Sequence, residues 1–120
     1  MATDPVSPSV TLEGLTPPQG ATVAIHIDVT APVNITPFSA RQEATQFVVR
    51  EVSTQLRGES PSLCVGARLC WSVPIVLTSP ARGVIGRVGE ILIDASSGEI
   101  LADAETVQRI ADYAERLALL

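Results

Sequence analysis

The sequence predicts an α+β domain: an antiparallel sheet of about four strands with two helices packed on one face, in the order β-α-β-β-β-α. Three observations carry that expectation. Leu69, Trp71, Val73, Ile75 and Leu77 recur at period two, the signature of a strand with one buried face. Residues 37–57 and 104–119 repeat apolar side chains at helical spacing, with polar ones on the opposite side. Between the strands lie short clusters of turn formers, Thr78–Gly83 and Ser96-Ser97-Gly98, which make hairpins and so join antiparallel neighbours.

Taken in order, residues 1–20 carry Pro5, Pro8, Pro17 and Pro18 among Ser, Thr and Gly and read as a flexible leader. Val10, Leu12 and Leu15 would let part of it pair with a sheet edge. The single domain then spans 21–120. Thr22–Ala31 alternates, with Val23, Ile25, Ile27 and Val29 on one face and His26 and Asp28 on the other, and is expected to be a strand. A carboxylate beside an imidazole is a catalytic arrangement in some enzymes, but alternate polar residues on a strand's solvent face explain this pair more simply. Thr36 suits an N-cap and Pro37 the first helical position. That helix is expected to run to about Arg57, where Gly58 stops it.

Leu63, Val65 and Ala67 keep the parity of Leu69 and Trp71, so the central strand is expected to begin at Leu63 with Gly66 as a bulge. The next strand, Val84–Asp94, places Ile91 and Ile93 on one face and Val88, Glu90 and Leu92 on the other. Gly86 and Gly89 there point to a bulge or a close backbone approach. A short strand, Glu99–Ala102, follows the Ser-Ser-Gly turn, and Asp103 caps a final helix, Ala104 to about Leu119.

Composition excludes several functions. A net charge of −5 with eight arginines, no lysine and 3% aromatic residues argues against nucleic-acid binding. No apolar run is long enough to cross a membrane and the N-terminus lacks a secretory signal, so a cytoplasmic location is expected. Walker, GxGxxG, GxSxG, HExxH and CxxC motifs are all absent, so no catalytic, cofactor or metal site is assigned. Cys64 and Cys70 are too few for a disulfide framework. In one continuous strand they would lie roughly 20 Å apart, although a turn at Val65-Gly66-Ala67 would bring them together. Asp94, Glu99 and Asp103 read as turn and cap residues, and Arg68, Arg82 and Arg87 as solvated hairpin charges.

From Ile35 to Asp103 the chain resembles the PepSY domain. The resemblance rests on the helix opening Ile35-Thr36-Pro37 with Ala40 and Ala44, and on the hairpin Ile93-Asp94-Ala95-Ser96-Ser97-Gly98-Glu99-Ile100. It covers a little over half the chain. It implies a helix and an antiparallel meander, and a non-catalytic module of the kind that accompanies and restrains peptidases, typically outside the cytoplasm or linked to a membrane.

The residues themselves favour a protein-interaction or regulatory module, self-associating or restraining a partner. Cys70, Pro74, Val76, Val84, Val88 and Leu92 would form the sheet's second face, too apolar for open water, and are the candidate interaction surface. A homodimer or another protein is the expected partner, in preference to a small molecule. The alternative is a ligand-binding or enzymatic domain with a pocket between the first helix and a curved sheet, where Trp71 and His26 would matter.

Overall fold

The computed structural model describes residues 18–24, 30–66 and 68–120, together with the backbone of 10–11. The elements are β1 (Val10–Thr11), α1 (Pro37–Glu51), β2 (Leu56–Gly58), β3 (Ser62–Val65), β4 (Leu69–Ser79), β5 (Gly83–Asp94) and α2 (Ala104–Ala118). The α+β class holds: four antiparallel strands, β2 to β5, carry both helices on one face. β4 is the centre. On one side it pairs along its length with β5, and on the other with β3 near its start and β2 near its end. β1 is a two-residue addition from the leader, parallel to β3 through Val10↔Leu63 and Thr11↔Cys64. Among the described residues, no helix is long and apolar enough to cross a membrane.

Four sequence expectations change in detail. The middle of the strand expected at Thr22–Ala31, residues 25–29 with His26 and Asp28, falls outside the described residues, and 22–24 and 30–31 lie in no strand. The first helix stops at Glu51, not Arg57, and the chain turns through 52–55 to make β2. The long central strand is two strands: the chain reverses between Val65 and Leu69, so Leu63 faces Trp71 and Val65 faces Leu69. The strand expected at Glu99–Ala102 is a single bridge, Ile93↔Ile100.

Both helix starts follow from their caps. The Thr36 hydroxyl accepts from the Ser39 amide at 3.0 Å, and the Asp103 carboxylate accepts from the Thr106 amide at 2.8 Å. α1 lies close on the sheet because the residues it turns inward are small: Ala40, Ala44 and Val48 are fully buried. They meet Trp71, Val73, Ile75, Ile91 and Ile93, none more than 3% exposed. Burying each of these large side chains contributes about 1.5–3 kcal/mol.

α2 lies over β5, and two glycines set its approach. A Cβ on Gly89 would stand 2.8 Å from Ile110 Cγ1, and one on Gly86 3.2 Å from Leu117 Cδ1. The close approach expected at these glycines is therefore real. So are the bulges. Ile75 pairs with Gly89 and Val76 with Arg87, which leaves Val88 over; Leu77 pairs with Gly86 and Thr78 with Val84, which leaves Ile85 over. Both extra residues are apolar and both join the core on the helix side.

Candidate interaction surface

The six residues expected to form the second face do not stay together. Val88 is a correction: the bulge carries it to the helix side, where it is buried in the core. Cys70, Pro74, Val76, Val84 and Leu92 do face away from the helices, as their register with Asp94, Glu90, Arg87, Thr78 and Ser72 requires. Their exposure is uneven, however. Cys70 and Val76 are 6% and 7% exposed, Pro74 and Leu92 half-buried, and only Val84 is open, at 50%.

Polar neighbours account for this. Arg57 and Arg87 flank Val76 on either side in the sheet register, and arginine stems of this kind shield apolar surface while keeping their charge in water. The Ser72 hydroxyl donates to Glu90 Oε2 at 2.6 Å, and Arg87 Nη2 stands 3.3 Å from the same oxygen. The face is thus a polar lattice over a thin apolar floor, less open than alternation alone implies.

At the other end of β4 the hairpin that carries the PepSY resemblance forms a tied corner. Asp94 Oδ1 accepts from the Ser96 and Ser97 amides at 2.8 and 2.9 Å, while Oδ2 meets Arg68 Nη1 at 3.2 Å. Gly98 closes the turn at φ +79°, a conformation that favours glycine. Buried Ala95 donates its amide to the Leu69 carbonyl, and its own carbonyl accepts from the amides of Asn34 and Ile35. Through Ala95 the corner ties the loop before α1 to the sheet, while Asp94 accepts the turn N–H groups, the structural role expected of it. Glu99 shares Arg68 with Asp94, and Asp103 is committed to its cap. The three arginines form no patch: Arg68 serves this corner, Arg87 pairs with Glu90, and Arg82 reaches the Leu120 carbonyl.

The bonds to Ser97 and Ser96 hold the Asp94 carboxyl below the usual carboxylate range, and the Thr106 amide does the same for Asp103. A depressed folded value means stability that is complete above the unfolded pKa and is lost as pH falls through the folded one. Unfolding midpoints are therefore expected to hold down to about pH 4 and to drop below it. Asp94→Asn is expected to lower the midpoint at neutral pH and to make the acid limb shallower. Superimposable midpoint-against-pH curves for the two proteins would show that the corner carries no such load.

Trp71 is structural. It is 3% exposed and its Nε1 donates to the Ile35 carbonyl at 2.7 Å, beneath α1. The space between α1 and the sheet, where the alternative reading needs a pocket, is filled by Trp71, Val73, Ile75, Ala40, Ala44 and Val48.

The open feature lies instead along β5. This twelve-residue strand is at the sheet's edge, and among the described residues no strand meets its outer side from Gly83 to Ile91. Beside it, under α2, runs a cleft of about 400 Å³ lined by Val88, Gly89, Arg109, Ile110, Tyr113 and Arg116 among others. Arg116 lies 5.3 Å from the centre of the Tyr113 ring, an arrangement that holds the ring by cation–π attraction. Tyr113 is 46% exposed, Leu119 and Leu120 just past the end of α2 are exposed as well, and exposed Val84 lies near the start of β5 on the face turned away from the helices. Sequence reasoning missed Tyr113 and Arg109. The only signal was an aromatic ring on the polar side of an amphipathic helix. The chain matches no family model, no curated protein and no solved structure.

Proposed function

We propose that the chain is a non-catalytic protein-interaction module that holds its partner by adding an extended segment to the outer edge of β5. The observation that carries this reading is that edge, unpaired among the described residues from Gly83 to Ile91 and bordered by exposed Val84 and Tyr113. Unpaired strand edges present N–H and C=O groups in the spacing another strand needs, and neighbouring pockets take its alternate side chains. The cleft under α2 would supply such a pocket. A second copy of the chain is the simplest partner, β5 pairing with β5 about a two-fold axis. Restraint of a different protein, as the PepSY-like hairpin implies, uses the same edge.

Light scattering on the purified chain over a wide concentration range, with mass spectrometry of whatever co-purifies from the native host, tests this. A dimer or a stoichiometric partner is expected. Tyr113→Ala should weaken that association about tenfold, as for an interface anchor, without moving the unfolding midpoint. Association that is indifferent to Tyr113→Ala and Val84→Glu overturns the β5 edge as the contact, and a chain monomeric throughout with nothing bound overturns the module.

A further inference from the structure

We propose that Cys64 and Cys70 are a modification site: a dithiol that a small disulfide such as oxidised glutathione converts, reversibly, into a cross-strand disulfide. The two residues are register partners across β3 and β4. Directly opposed residues of an antiparallel pair have Cα atoms about 4.5–5.5 Å apart, inside the range of about 4.4–6.8 Å that disulfides span. Opposed side chains also leave the sheet on the same face. Here that is the face without helices, where both cysteines line an open cleft of about 350 Å³ with Arg68, Glu90, Leu92 and Leu101. Oxidant can therefore reach the pair without unfolding.

The frame is already held in place. Cys70 is opposite Asp94 on its other side, and Arg68, two residues before it, is fixed by Asp94 and Glu99. The two thiols are not equivalent. Cys64 is half-buried and Cys70 buried, and burial, with the Asp94 carboxylate adding to it, pushes the Cys70 thiol up. Cys64 is the thiol that meets the oxidant. Its thiolate attacks one sulfur of oxidised glutathione, forming a mixed disulfide and releasing one glutathione thiolate. Cys70 then gives its proton to solvent and attacks the Cys64 sulfur, forming the protein disulfide and releasing the second glutathione. Two protein thiols are oxidised and one glutathione disulfide is reduced.

The product closes a ring over residues 64–70 and locks the hairpin to which β1 is added through Thr11 and Cys64. The reduced full-length chain is incubated with oxidised glutathione, denatured, alkylated and weighed intact. The expected product has the mass of a single chain with no disulfide between chains, has lost both alkylatable thiols and two hydrogens, and carries no glutathione. Its thermal midpoint should rise by about 5 °C and return on addition of dithiothreitol. Cys70→Ser is expected to stop at the glutathione adduct on Cys64. Two thiols still open to alkylation, a stable adduct on the unsubstituted chain, or disulfides between chains would each overturn the proposal. A Cys70→Ser protein that takes up no glutathione overturns Cys64 as the attacking thiol.

Discussion

Trp71→Ala is expected to lower the free energy of unfolding by about 3–5 kcal/mol, the cost of truncating a core aromatic. The side chain does two things at once. Its ring lies among the fully buried Val73, Ile93 and Ala95, in the layer between α1 and the sheet. Its N–H reaches the Ile35 carbonyl at the point where the loop before α1 crosses the sheet. Alanine removes the ring's volume and also leaves that carbonyl without its donor. Trp71→Phe separates the two effects: it keeps most of the volume and loses only the hydrogen bond, for about 1 kcal/mol. Chemical denaturation of both variants checks this. Equal midpoints for wild type and Trp71→Ala would mean that the ring supports nothing and that α1 is held elsewhere. Association through the β5 edge should be unaffected while the variant remains folded.

Trp71 was legible in the sequence because it sits inside an unbroken period-two run, and a run of that kind survives wherever strands pair without insertions. The same alternation failed at Val88. Each bulge in β5 adds one residue, and one added residue reverses the facing of everything on one side of it. Gly86 and Gly89 signalled that something irregular happens there, but not which residue is left over. Val84, beyond both bulges, returns to its expected face because two insertions restore the parity. The start of α2 was legible because Asp103 is a local device, acting on an amide three residues away. The cleft under α2 was not, because it depends on where α2 crosses β5, which is set by tertiary contacts of Ile110 and Leu117. His26 and Asp28 lie outside the described residues, so their placement adds nothing to the surface described above.

The end of α1 was misread for a reason that yields the second large effect. Val52 and Leu56 continue the helix's apolar spacing, so Gly58 looked like a helix stop. In the structure it is a strand residue pressed against the helix it seemed to end. Its amide donates to the Thr45 hydroxyl at 2.9 Å and its carbonyl accepts from Arg41 Nε at 2.9 Å. The Thr45 hydroxyl in turn donates to the Arg41 carbonyl at 2.9 Å. Both backbone groups of Gly58 are thus spent on one turn of α1, which is possible only if strand and helix nearly touch. A Cβ at Gly58 would stand 2.8 Å from Val73 Cγ1, 3.1 Å from Thr45 Oγ1 and 3.2 Å from the Arg41 carbonyl oxygen. Val73 is fully buried and the Arg41 oxygen is backbone, so neither yields easily. Gly58→Ala is therefore expected to cost about 1–3 kcal/mol by overpacking, with more if β2 lifts away and the two hydrogen bonds are lost. Gly66→Ala is the control, since a Cβ there meets nothing within 4 Å. Comparing the denaturation midpoints of the two variants decides the matter. A drop for Gly58 alone shows that contact with α1 fixes β2, whereas equal midpoints would return Gly58 to the role of a helix stop.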